Sequence, residues 1–296
     1  MTMLTYSELD WRGLSPKLWK GFAPPVGGQF HATASGNPAF GFFDDFVGYT
    51  GGVNLDGMTD VGYPPYYVLS TGDATVKPVD TTLDTSTAAQ KLATHLGAVQ
   101  LLCTTDNDEA AIAYGGTASE APFKLDPSIG MGDLVFECRV LDNIVTDDDI
   151  AWFAGLIESG GQATTKCFDN GQDPAATHDT IGFMKLIADG DGVDSYCMNQ
   201  GKTAVGTADV HTLVASQYVK LGMKYDSMRE EVSFWVNGVE QTSHRLNKAS
   251  MTNTEAGSFP DDNFMTPIIC AVTDQATDMT LNIDWWACAQ YHNAVV

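Results

Sequence analysis

The sequence predicts an all-β protein made of two packed antiparallel sheets, and three observations predict it. From about residue 97 onward, short stretches carry apolar residues at every second position, the period of a strand. Gly, Asn and Asp separate these stretches, and 29 glycines in 296 residues suit many turns and few long helices. A single stretch, "TAAQKLATHLG" (87–97), is tempting as a helix, ending at Gly97 as a C′ glycine should. Short strands at this density can bury their apolar faces only against one another, which makes a sandwich.

The elements follow in order. Residues 1–38 read as an extended N-terminal arm, and residues 39–296 as one sandwich domain. The arm stretch "DWRGLSPKLWKGFAPPVGGQFHATASGNP" is too rich in Pro and Gly for a long helix, yet it holds Trp11, Trp19, Phe22 and Phe30. Arg12, Lys17 and Lys20 lie beside them, and no other Lys or Arg precedes Lys77. Two uses fit these residues. The aromatics pack back on the protein's own surface, or Trp11, Arg12, Lys17, Trp19, Lys20 and Phe22 bind a partner, where Trp and Arg make good anchors.

Strand signals begin at "FGFFDDFVGYTGG" (40–52), and residues 53–80 read as turn-rich. In "GAVQLLCTT", Val99, Leu101 and Cys103 alternate against Gln100 and Leu102. In "DLVFECRVLD", Leu134, Phe136, Cys138 and Val140 point inward, with Glu137 and Arg139 outward. "IAWFAGLIES", "DTIGFMKLIADGDG" and "MTPIICAVT" are apolar runs of strand length. "REEVSFWVNGVEQTS" (229–243) predicts a hairpin closed by Asn237-Gly238, with Val232, Phe234 and Val236 on one face and Ser233 and Trp235 on the other. In the last strand Met279, Leu281, Ile283 and Trp285 share a face. Each is expected as a half-buried antiparallel strand.

Bulk charge excludes partners. Fifteen Lys and Arg against 38 Asp and Glu give a formal net charge of −23, which repels nucleic acid and anionic membranes. No apolar run reaches the roughly 20 residues of a membrane helix. The six cysteines show no CxxC spacing, and Cys138 and Cys270 sit in apolar runs as small hydrophobes. "MTMLTYSELDW" has neither the basic nor the apolar region of a secretory signal. A chain made in the cytoplasm with reduced thiols is expected.

The order "YVKLGMKYDSMREEVSFWVNGVE", then "SFPDDNFMTP", then "TLNIDWWACAQ" resembles the concanavalin A-like jelly roll of lectins, laminin-G domains and family 16 glucanases. Within that fold, "LLCTTDNDEAAIAYGG" and "LVFECRVLDNIVTDDDIAWFAGLIES" resemble sandwich proteins of tailed-bacteriophage virions, typically head decoration or cement proteins. That resemblance implies a non-enzymatic virion protein that clamps the major capsid protein and associates with itself, as a homotrimer.

Other chemistry is weighed on its residues. Retaining glycoside hydrolysis needs two carboxylates about 5–5.5 Å apart. The Glu-x-Asp-x-Glu pattern that family 16 enzymes place on one strand is not in this chain, and an enzyme is not expected. A lectin-like carbohydrate-binding module on a phage tail or fibre is the alternative, with Asp and Asn on its rim loops and Ca²⁺ ordering them. "ADGDGVDS" (Asp189, Asp191, Asp194), "TDNDE" (Asp106 to Glu109) and "TDDD" (Asp147 to Asp149) are oxygen-only clusters. Asp-Gly pairs are first of all turn formers, and solvated turns are the simpler expectation. The six histidines show no HxH or HExxH spacing, so no metal or other cofactor is predicted.

Overall fold

A computed structural model of the chain describes residues 13–20, 22, 39–44, 46, 61–63, 66–78, 98–104, 108–115, 120–143, 145, 150–161, 168, 177–250, 259–273 and 278–292. The predicted helix over 87–97 lies outside them.

Seventeen strands run in chain order through the described residues. The first six are β1 (Ala39–Asp44), β2 (Val61–Tyr63), β3 (Tyr66–Ser70), β4 (Thr75–Pro78), β5 (Val99–Cys103) and β6 (Glu109–Tyr114). The middle five are β7 (Met131–Asp142), β8 (Ile150–Glu158), β9 (Thr180–Lys185), β10 (Gly192–Met198) and β11 (Val205–Thr212). The last six are β12 (Val219–Asp226), β13 (Glu231–Val236), β14 (Val239–Glu240), β15 (Leu246–Asn247), β16 (Met265–Thr273) and β17 (Met279–His292).

They form two antiparallel sheets packed as a β-sandwich, the fold class that the strand periodicity predicts. The first sheet has the order β14-β13-β12-β7-β17-β5-β4, with β1 added on β17 and β15 on β13. The second runs β11-β10-β9-β8-β16-β6-β3-β2. The terminal strand β17 carries β5 on its first half and β1 on its second, so the end of the chain closes against its beginning.

The inner faces fill one core. Leu134, Phe136, Cys138 and Val140 of β7 enter it as their alternation requires, as do Val99, Leu101 and Cys103 of β5. Phe183 and Phe234 meet edge to face across the sheets at 5.3 Å, and Phe42 stacks on Tyr114 at 4.2 Å. Each fully buried side chain of this size contributes about 1.5–3 kcal/mol relative to exposure. Asn237 (φ 49°) and Gly238 (φ 77°) both take the left-handed conformation of a two-residue hairpin turn between β13 and β14, as the Asn-Gly pair predicts.

Three expectations change. Residues 53–80, read as turn-rich, contain β2, β3 and β4. Strands β8, β9 and β16 are not half-buried: both of their faces are covered, apart from Glu158 at the end of β8. In β17 a bulge between Ile283 and Trp285 adds one residue, Asp284, and inverts the alternation beyond it. Trp286 and Cys288 therefore enter the core, and Trp285 turns to the outer face.

One end of the sandwich is joined by a buried ion pair. Lys185 Nζ lies 3.8 Å from Asp142 Oδ2 and donates to the Ile150 carbonyl at 2.8 Å, while Trp152 Nε1 donates to the same Asp142 oxygen at 3.1 Å.

Candidate functional site

The outer face of the first sheet is where the N-terminal segment meets the sandwich. Leu14, Leu18 and Phe22 recur every four residues, which places them on one side of a helical turn. Pro16 suits the start of that turn, and Trp19 N donates to the Ser15 carbonyl at 3.1 Å. The apolar side packs on Val135 of β7 and on Trp285, Ala287 and Ala289 of β17, with Phe43, Trp235 and Tyr291 at the margin. Small residues give the seat its depth. A Cβ on Gly222 would stand 2.4 Å from Leu18 Cδ2, so glycine there makes the pocket for Leu18. Phe22 stacks on Tyr291 with ring centres 4.1 Å apart.

A carboxylate lies beneath the segment. Glu137 projects outward from β7, yet it is 1% exposed because residues 13–22 cover it. Its Oε2 accepts from Ser15 N at 3.0 Å and from Trp19 Nε1 at 2.7 Å. Burial pushes its pKa above the ordinary carboxylate value, a shift that those hydrogen bonds and the nearby Lys220 ammonium only partly oppose. Lys220 Nζ also donates to the Gly13 carbonyl at 3.2 Å.

The residues assigned to partner binding therefore separate. Trp19 and Phe22, 0% and 5% exposed, are engaged by the protein's own sheet and cannot anchor a second surface while docked. Lys17 and Lys20 point away from the seat and are exposed. Trp11 and Arg12 lie outside the described residues. Trp235, predicted to point outward, does so, and it packs against the cluster formed by the segment. Sequence reading missed Glu137, Gly222, Ala287 and Ala289. The available signal was an acid and three small residues on the outward positions of strands.

The acids gather at one end of the sandwich. Glu158 ends β8, Asp179 precedes β9 and Asn263 precedes β16. Asn263 Nδ2 donates to both carboxylates, to Glu158 Oε2 at 3.1 Å and to Asp179 Oδ2 at 3.2 Å. Glu158 also accepts from Asp179 N at 3.2 Å and meets His178 Nδ1 at 2.8 Å, while Asp179 accepts from Gln200 N at 2.7 Å. Burial raises the Asp179 pKa, and the neighbouring Glu158 and Asp262 charges add to the rise. All four oxygens are already in hydrogen bonds, so the pair holds strand ends together. Beside it an open cleft of about 790 Å³ is lined by Asp126, Ser128, Glu230, Lys248, Asp261 and Asp262. Lys248 pairs with Glu230 at 2.9 Å and with Asp261, which places an internal cation in the cleft.

The candidate Ca²⁺ loops serve their own turns where they are described. Asp194 Oδ1 accepts from Asp209 N at 2.8 Å, and Asp108 Oδ2 accepts from Asp73 N at 3.1 Å. Asp106, Asn107 and Asp147 to Asp149 lie outside the described residues. Among the described residues no group of three or more His, Cys, Asp or Glu is arranged to hold a metal ion. Cys103, Cys138, Cys197, Cys270 and Cys288 are buried, and burial pushes the Cys103 pKa up to about 12.

No known family's sequence profile matches the chain, and neither does any curated protein sequence. In fold the chain is similar to a protein of unknown function from Shewanella oneidensis MR-1, with a TM-score of 0.52 and 12% identity over 100% of this chain and 98% of that one. An endo-1,3-beta-glucanase from Streptomyces sioyaensis matches at a TM-score of 0.47, with 16% identity over 92% of this chain and 97% of the other. The Emp46p carbohydrate recognition domain in its potassium-bound form also matches at 0.47, with 12% identity over 82% of this chain and 96% of the other. At these identities the likeness concerns the fold alone.

Proposed function

We propose that this chain is a non-enzymatic structural protein of a bacteriophage virion, a decoration or cement protein that binds the major capsid protein and stabilises the head shell as a homotrimer. The observation that carries the reading is that, among the described residues, the central strands of both outer faces of the sandwich are covered. On the first sheet, residues 13–22 close the face over β7, β12 and β17. On the second, Leu69, Ala111, Ala113, Ala151, Phe153 and Cys270 are each no more than 8% exposed. Retaining hydrolysis needs two carboxylates about 5–5.5 Å apart, one as nucleophile and one as acid. The Glu158–Asp179 pair has its oxygens engaged by the protein itself.

The test is co-sedimentation of the purified full-length chain with tailed-phage heads stripped of accessory proteins. The expected result is saturable binding at a fixed ratio to the capsid subunit, with heads that survive heating better than bare ones. Heads that pellet without the chain at every concentration would remove the reading.

One observation favours a second reading as a glycan-binding module. The open cleft is lined by Asp126, Ser128, Asp261 and Asp262, oxygen-bearing groups of the kind that sugar hydroxyls meet. A glycan array probed with and without EDTA decides it; a negative array leaves the assembly reading alone.

A further inference from the structure

The seat of residues 13–22 has the properties of a site for a separable ligand. Every contact described above is made by side chains or by the turn backbone against the sheet face, and among the described residues no strand pairing ties the segment to that face. Glycine and alanine hollow the seat, and Glu137 supplies an acceptor that two donors of the segment satisfy. We propose that the outer face of β7, β12 and β17 receives residues 13–22 from a second copy of this chain, so that neighbouring molecules exchange their N-terminal segments. The inference deepens the assembly reading and relies on it for the use of the exchange, not for the exchange itself.

Three further features point to a second copy as the occupant. Because the exchanged contacts are identical to the internal ones, exchange costs no interaction; it is the low-cost route to association that swapped elements provide. Reach is sufficient. Sixteen residues, 23–38, join Phe22 to the start of β1, and fully extended they span at most about 55 Å, more than the roughly 30 Å diameter of a small domain. Charge is complementary as well. Residues 11–38 hold Arg12, Lys17 and Lys20 and no Asp or Glu, within a chain of net charge −23. Two bodies of this kind repel, and a cationic segment laid across the acidic neighbour is the part of the chain that opposes the repulsion.

The geometry provides its own trap. Ser15 Cβ lies 3.4 Å from where a Cβ on Gly238 would stand, just under the Cβ separation of about 3.5–4.5 Å that a disulfide accepts. One full-length population carries Ser15→Cys and the other Gly238→Cys; they are mixed, equilibrated and mildly oxidised. Exchange predicts that the mixture forms reductant-sensitive covalent dimer, joining one chain of each kind, at least about tenfold more abundantly than either population alone forms covalent dimer. It also predicts loss of that species when the Ser15→Cys partner carries Trp19→Ala. Covalent dimer in the mixture at no more than the level of the single populations, while the double variant on one chain closes its internal disulfide, would overturn the proposal.

Gly238 has φ +77°, so a side chain there strains the turn. If Gly238→Cys fails to fold, native mass spectrometry of ordinary and isotopically heavy wild-type chains replaces the trap. Mixed oligomers that Trp19→Ala abolishes support exchange, and monomers at every concentration refute it. Heterodimers without head binding would remove only the virion role, and head binding without heterodimers would remove only the exchange.

Discussion

Glu137 is the residue on which the docked segment turns. Its carboxyl accepts two hydrogen bonds in a place that water does not reach, and burial outweighs those bonds in setting its pKa. A carboxyl whose pKa rises on folding holds its proton more tightly in the folded state. Between the ordinary carboxylate pKa and the raised one, stability therefore falls as pH rises, and above that range the loss is constant. Glu137→Gln keeps an oxygen for Ser15 N and Trp19 Nε1 but carries no charge. Urea melts of the two proteins should converge at acid pH and separate as pH rises, with the variant more stable; a constant difference would contradict the assignment. Trp19→Ala acts on the same contact from the other side. It removes a fully buried ring, a change of about 3–5 kcal/mol in a rigid core, but here the loss cannot exceed the docking energy of the segment. Hydrogen exchange should accelerate over residues 13–22 while the strand amides keep their protection.

At the scale of elements, Gly222 and Lys185 make separable demands. A valine at position 222 would overlap Leu18, yet its backbone lies in ordinary strand geometry, so β12 should persist while the segment is displaced. Gly222→Val should therefore raise tryptic cleavage after Lys17 and Lys20 by about an order of magnitude, since cleavage follows the population of the open form. Lys185→Met should cost the sandwich itself about 3–5 kcal/mol, because it leaves Asp142 buried without its cation, and Asp142→Asn in the same chain should recover much of that. These elements also show what was legible in the sequence. The β12–β13–β14 region could be read because its alternation and its Asn-Gly turn are local signals. The bulge at Asp284 could not, since it depends on how β17 registers against Arg139 and Val140 of β7. Strands β2 to β4 were hidden by their prolines and turns, and pairing with β6 and β5 is what makes β3 and β4 part of the sheets. The four-residue spacing of Leu14, Leu18 and Phe22 was visible, but its seat is assembled from residues more than a hundred positions downstream.

For the whole molecule the dominant physical fact is self-repulsion, and it sets the last prediction. With 38 acids against 15 bases the folded chain concentrates negative charge, and at about 0.01 M salt the Debye length of about 30 Å lets these charges act across the entire sandwich. Salt at about 0.1 M shortens that range to about 10 Å and should stabilise the fold. The surface ion pairs push the other way. Arg245 with Glu231 and Glu240, and Lys248 with Glu230 and Asp261, weaken on screening. Pairs this exposed contribute only about 0–1 kcal/mol each, and the cations are outnumbered. The thermal midpoint should therefore rise by several degrees between these two salt concentrations, and self-association should strengthen in parallel, because the same repulsion holds copies apart. A midpoint that falls with added salt would mean that the Arg245 and Lys248 clusters dominate the electrostatics, and that charge is not what keeps isolated copies from exchanging their segments.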